Sequence, residues 1–287
     1  MRPVARLHES PTEFMRIAGG VLSAEEAVNC LPLGLCLRMM TQEVRYDGPP
    51  FFHTSESGSG LAGAAIMTPP HNVVLCCGPS WSDEAFQVLY ESLLEAGCEV
   101  PGVIGRADLA ARFASSFSRL SAPAGGMAVE KAMGLGLYLL ERLSKIPCSP
   151  GFLRPASGDD LALLTDWYLE FHMDCFGEVP RYATPENFSR LVASEDVFVW
   201  VDGKPVSLAA KSRPTWNGVT VSMVYTPPAL RRRGYATSCV AELSRLLLGT
   251  WRFCTLFTDL ANHTSNHIYE TIGYRRIADF AEYRFLR

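Results

Sequence analysis

Apolar residues recur along the chain with two periods, and the switches between them mark out its elements. From Val219 to Tyr225 the period is two: Val219, Val221, Met223 and Tyr225 alternate with Thr220, Ser222 and Val224. This predicts a strand with those four residues on one face. Pro227 and Pro228 end it, since neither can donate to a ladder. From Tyr235 the spacing is helical, through Cys239, Leu243, Leu246 and Leu247, and Gly249 punctuates its end. A strand over 253–258, a helix over 262–272 and a closing strand pair over 274–285 follow.

Upstream, Phe152 to Arg154 can form a first strand, and Ser157 caps a helix from Asp159 to Asp174. Thr184-Pro185 is a helix start running to Ala193. Val197–Val201 and Pro205–Lys211 make a hairpin across Asp202-Gly203. Before the proline-rich stretch 145–155, which reads as a linker, the pattern is less regular. Residues 1–45 read as helical with breaks at Pro11 and Pro32, and Ser23-Ala-Glu-Glu26 as a capping box opening a helix through Cys30. Strands are expected at 51–54 and 62–68 around the turn Ser55–Gly60, and again at 73–77 and 100–104. Helices are expected at 83–96 and 109–120, while 133–143 reads equally as a bent strand or a loose helix.

Both halves therefore run hairpin, strand, helix, strand, helix, strand. The expectation is an α/β (α+β) chain of two lobes, 1–147 and 148–287, built as two copies of one fold. An unrelated α/β domain in the first half is the alternative.

At 287 residues the length suits one large or two modest domains. Up to Ser149 there are 11 Lys+Arg and 15 Asp+Glu, a net charge of −4, and the remainder is balanced. Neither half has the basic excess of a nucleic-acid binder. Nine cysteines without a C-x-x-C pair suggest neither a disulfide framework nor a zinc site. No run approaches 18 apolar residues and no secretory leader pattern opens the chain, so no membrane partner and a cytoplasmic location are expected. Nothing in the residues speaks to oligomeric state. Gly58-Ser-Gly60-Leu-Ala-Gly63 matches a dinucleotide fingerprint formally, but the residues before Pro69-Pro70 leave no room for its helix. No metal constellation, nucleophile elbow or Walker loop occurs.

The chemistry concentrates in the turn before the 235–247 helix. Arg231, Arg232 and Arg233 crowd the positive end of the helix dipole, where cations are disfavoured. Gly234 permits close backbone approach, and the first-turn N–H groups need acceptors. A docked polyanion would answer both, as would a solvated basic turn.

Arg231-x-x-Gly234-x-Ala236 between strand and helix resembles the pyrophosphate loop of the GNAT acyl-CoA-dependent N-acyltransferase superfamily. Asn262, Ser265, Asn266 and Tyr269 match its N-x-x-S-N-x-x-Y pattern further on. The two blocks cover the last third of the chain closely and most of its second half more loosely. In the first half, Cys77-Gly-Pro-Ser-Trp-Ser82 lacks the arginine and the Gly-x-Ala step. That half would be a copy that has lost its cofactor loop.

The resemblance implies acetyl-CoA as co-substrate, no metal, and acetyl transfer to the primary amine of a small molecule by direct attack in a ternary complex. Coenzyme A would lie along Val224, Tyr225 and Thr226. Its diphosphate would meet Arg231, Arg232, Arg233, Gly234, Tyr235, Ala236 and Thr237, and its arm Asn262, Ser265 and Asn266. Tyr269 would be the general acid toward the departing thiolate. Neutralising a lysine-like amine at pH 7 costs about 4.6 kcal/mol, so a base is needed. Glu178 is taken as that base; His172, Asp174 and Glu282 come from segments that usually wall the acceptor site. Cys175 lacks any neighbour in sequence that would activate it. A protein or peptide amine as acceptor, and a non-catalytic acyl-CoA-binding regulator, are the rival readings.

Overall fold

The computed structural model of the chain describes residues 2–41, 46–58, 60–122 and 125–286. The first half runs β1 (Val4–Leu7), α1 (Pro11–Ala24), α2 (Cys30–Thr41), β2 (Phe51–Ser57), β3 (Gly60–Met67), β4 (Val73–Leu75), α3 (Asp83–Glu95), β5 (Gly102–Arg106), α4 (Ala107–Ser121) and β6 (Ala128–Leu140). The second repeats that order as β7 (Phe152–Pro155), α5 (Leu161–Phe176), α6 (Pro185–Ala193), β8 (Val197–Asp202), β9 (Lys204–Ser212), β10 (Gly218–Tyr225), α7 (Tyr235–Leu247), β11 (Phe253–Asp259), α8 (His263–Ile272) and β12 (Arg275–Leu286). Each half is thus the expected series preceded by a strand and two helices.

All twelve strands form one sheet, ordered β1-β2-β3-β4-β5-β12-β6-β11-β10-β9-β8-β7. The last strand of each half has crossed over. β12 pairs with β5 of the first half (Ala281↔Gly105), and β6 pairs with β11 of the second (Tyr138↔Leu256). The two exchanged strands also pair with each other along most of their length, from Arg275↔Leu139 to Leu286↔Ala128. Phe285 of β12 stacks on Phe117 of α4 with centroids 4.1 Å apart, so the C-terminal strand helps to fill the core of the first half.

Helices cover both faces. On one, α3 and α4 pack over Phe51, Met67 and Leu75, and α7 over Trp200, Val221 and Leu256. On the other, α1 and α2 enclose Phe52, Ile66 and Val74, and α5 and α6 enclose Val197, Val199 and Leu208. Local chemistry sets the boundaries: Ser10, Ser82 and Thr184 cap α1, α3 and α6 by accepting from the third residue on.

Several expectations need correction. The N-terminal stretch opens with a strand, and Pro11 and Pro32 start and sit within helices. Ser23 lies inside α1 and hydrogen-bonds back to the Gly19 carbonyl, so the predicted capping box does not form. The β2–β3 hairpin is tighter than expected, with Ser57 opposite Gly60. Residues 133–143, left undecided, are largely strand, and 274–285 is a single strand because β6 supplies its partner. Residues 42–45 of the expected helical stretch and Ser59 of the expected turn lie outside the described residues.

Candidate functional site

β10 and β11 begin as parallel neighbours, with Gly218, Val219 and Thr220 opposite Phe253, Cys254 and Thr255. Beyond Thr220 they separate, while β11 stays paired with β6 as far as Asp259. On its other side β10 carries a bulge: Ser222 pairs with Ala210 and Tyr225 with Leu208, leaving Met223 and Val224 without register partners. Met223 sits at φ 51°, in the left-handed region. The bulge flips the strand. Val219 and Val221 share the α7 side, but Met223 and Tyr225, expected on that same face, face α5, and Val224 takes the α7 side. A splayed strand pair beside backbone without a ladder partner is a slot lined by free peptide groups.

At the slot's mouth the turn 226–234 leads into α7. Arg232 and Gly234 take positive φ, 64° and 77°. The N–H groups of Arg232 through Thr237 find no acceptor among the described residues; the first helical one, on Ser238, donates to the Gly234 carbonyl. Six consecutive donors at a helix N-terminus form an anion cradle. Ser149 braces it, donating its hydroxyl to the Arg233 carbonyl (2.8 Å) and its N–H to Ser238 Oγ (2.7 Å). Tyr235 is anchored through its hydroxyl on Asp202, 2.6 Å away.

Arg231 turns away from the cradle. Its Nε donates to the Thr226 carbonyl at 2.9 Å and its Nη2 to Asp174 Oδ2 at 2.6 Å, with the guanidinium 5.6 Å above the Tyr225 ring. It therefore ties β10, the turn and the end of α5 together, leaving Arg232 and Arg233 as the exposed cations that follow it, Arg233 beside the Tyr235 hydroxyl.

On α8, Asn262 is the N-cap and accepts from Ser265 N, and Asn266 donates to the Asp259 and Leu260 carbonyls. The Asn262 Oδ1 and the Asn266 amino group thus hold the helix start, while the buried Asn266 Oδ1 has no partner among the described residues. Tyr269 is 7% exposed, between the rings of Tyr138 and Tyr274. Burial, and to a lesser degree the Cys175 thiol, raises its hydroxyl far above the ordinary phenol range. It remains a neutral donor. Burial likewise pushes Cys175 up to about 11, and its charged neighbours are Asp174, Asp259 and Arg231.

The remaining candidates lie on the α5 side. Glu178 is well exposed and 3.7 Å from Arg284. Glu282 accepts from Asn72 Nδ2 at 2.8 Å. His172 is packed among Tyr168, Phe171, Phe176 and Tyr182, its Nδ1 has no partner, and burial lowers its pKa. Two residues here were not anticipated. Glu170 accepts from the Tyr225 hydroxyl at 2.8 Å; its place one turn before Asp174 on the same helix was a usable signal. His71, from the first half, meets Tyr182 edge-on at 4.8 Å, and no local pattern predicts that contact.

The equivalent place in the first half is closed. Asn29 accepts from Cys77 N at 2.8 Å and donates to the Cys77 carbonyl at 3.2 Å. Trp81 donates its indole N–H to the Cys76 carbonyl and stacks on Phe86. The N–H groups of Ser80, Trp81, Ala85 and Phe86 all have acceptors. A Cβ at Gly78 would lie 2.6 Å from Val21. Among the described residues here, no run of six consecutive donors without acceptors recurs.

Residues 201–285 match the family model described as FR47-like protein. No curated protein matches the chain in sequence. Among solved structures, a Drosophila protein superposes with TM-score 0.67 at 14% identity, covering 99% of each chain. A GCN5-related N-acetyltransferase from Sphaerobacter thermophilus gives 0.64 at 13% identity, over 100% of this chain and 96% of its own. A tandem GNAT protein from the clavulanic acid biosynthesis pathway gives 0.57 at 11% identity, over 98% of both chains. The chain has the two-lobed fold of these GNAT structures, and both its FR47-like segment and the open slot lie in the second half.

Proposed function

We propose that this chain is an acetyl-CoA-dependent N-acetyltransferase acting on the primary amine of a small molecule, with one working site, in the second half. The carrying observation is the conjunction of the β10 bulge, the β10–β11 splay and the six unpaired N–H groups of residues 232–237. Bound acetyl-CoA would supply an activated thioester.

The cradle at Arg232 to Thr237 would hold the diphosphate, with Arg232 and Arg233 adding charge and Arg231 shaping the turn. The backbone of Val224, Tyr225 and Thr226 would run beside the pantetheine arm. An N–H of the bulge would donate to the thioester oxygen as negative charge develops, a contribution of about 3 kcal/mol for one such donor. Asn262, Ser265 and Asn266 would line the other wall. Tyr269 would protonate the departing sulfur. Glu178, with Glu282 nearby across Tyr182, would take the amine's proton through water.

The test is turnover. The chain, acetyl-CoA and a panel of small primary amines should release coenzyme A thiol in step with acetylated amine. Saturable acetyl-CoA binding without product from any amine would favour a non-catalytic acyl-CoA-binding protein. Acetylation confined to basic peptides would favour a protein acceptor.

A further inference from the structure

We propose that the junction of Arg213 with Arg38, where the β9–β10 turn of the second half meets α2 of the first, binds a small oxyanion, a phosphate or carboxylate group. Arg213 holds a strained backbone, φ 46°, so its direction is imposed by its surroundings. A Cβ at Gly34 on α2 would lie 2.6 Å from the Arg213 Cβ and 2.8 Å from its carbonyl oxygen. The helix therefore packs directly on this residue. The residue is half-buried, and its Nε is sealed from solvent without an acceptor.

Among the described residues nothing nearby balances its charge. Among the described residues no carboxylate reaches ion-pair distance of Arg213 or Arg38. The carboxylate that does reach this turn, Glu26, is committed: Oε1 accepts from Thr215 Oγ1 (2.6 Å) and Asn217 N (2.7 Å), and Oε2 from Asn217 Nδ2 (2.7 Å). Asp196, next to the end of β9, is 3.6 Å from Lys211. Cys30 on α2 is a neutral thiol, its pKa raised by burial. Burial and the neighbouring Arg38 both oppose the Arg213 charge.

Buried guanidinium groups are found paired, and a planar fork matches the two oxygens of a carboxylate or phosphate. The ligand chemistry that fits this guanidinium is therefore an oxyanion. The site stands at the start of β10, roughly 20 Å of strand from the slot at its other end. It joins the two halves and shares no residue with the proposed acetyl-transfer machinery.

The test is thermal unfolding of the full chain in chloride, inorganic phosphate or acetate, at matched ionic strength and neutral pH. It is repeated in a Gly234→Asp background to silence the cradle before α7. The expected result is a saturable rise in Tm with phosphate or acetate. Arg213→Met should abolish it, and Arg38→Met should raise the half-saturating concentration at least tenfold. In chloride alone Arg213→Met should be no less stable than the parent, because it removes an uncompensated charge. A response to phosphate alone identifies a phosphate site, to acetate alone a carboxylate site, and to both a general oxyanion site. No response in the parent chain, or one that survives Arg213→Met, overturns the proposal.

Discussion

Asn29 grips the backbone of Cys77 from both sides, accepting from its N–H at 2.8 Å and donating to its carbonyl at 3.2 Å. These peptide groups occupy the place in the first half that Tyr225 and Thr226 hold in the second. The first half holds this backbone with a side-chain amide, whereas in the second the N–H groups of 232–237, next along the chain, have no acceptor among the described residues.

Calorimetry with coenzyme A should therefore give one site per chain. Gly234→Asp should weaken that site at least tenfold, because Gly234 sits at φ 77° and a Cβ there would lie 2.6 Å from Ser149 Oγ. A left-handed non-glycine residue alone costs about 1–2 kcal/mol, and an added carboxylate repels the diphosphate. Two sites per chain, or full affinity in the variant, would contradict this.

Tyr269→Phe separates chemistry from packing. The hydroxyl has no hydrogen bond to a described residue, so its loss should leave Tm almost unchanged while the ring still fills its place between Tyr138 and Tyr274. kcat should fall by about 10² to 10⁴, the usual worth of a general acid, with acetyl-CoA affinity retained. An unaltered kcat would make water the proton source.

The first half should matter for the acceptor and not for the coenzyme. Its β3–β4 turn brings His71 against Tyr182 and Asn72 against Glu282, where the amine is proposed to sit. His71→Ala or Asn72→Ala should raise KM for the amine severalfold and leave KM for acetyl-CoA unaltered. Equal effects on both constants would mean that the turn only supports the fold.

The acid limb of stability should depend on Asp160. Its carboxylate, 7% exposed, is held by both Nη groups of Arg154, at 2.6 and 2.8 Å. Those bonds lower its pKa from 3.8 to about 2. A lowered folded-state pKa contributes stability above the unfolded value and loses it as pH falls toward the folded one. The contribution is about 2 kcal/mol at neutral pH. It should fade between roughly pH 4 and pH 2. Asp160→Asn should cost stability at pH 7 and flatten that decline, as urea unfolding at both ends of the range would show.

Much was legible in the residues because it is local. Thr184-Pro185 and Asp202-Gly203 carry their own cap and turn chemistry, and α6 and the β8–β9 hairpin stand where those signals put them. The two families of elements, the basic turn and the helix carrying Tyr269 likewise follow from period and spacing. Three features are not local. Strict alternation predicted Met223 and Tyr225 on the face of Val221; the bulge reverses them, since register with β9 outweighs strand-internal phase. The spacing of Asn262 and Asn266 put them on one helix face, but it could not show that Asn262 caps α8 on Ser265 N while Asn266 reaches back to the Asp259 and Leu260 carbonyls. Above all, hydrophobic period tells a strand which faces to bury and says nothing about its neighbour. Only the assembled sheet, where β6 and β12 each pair with the other half, decided that the two halves share one sheet and that His71 stands against Tyr182.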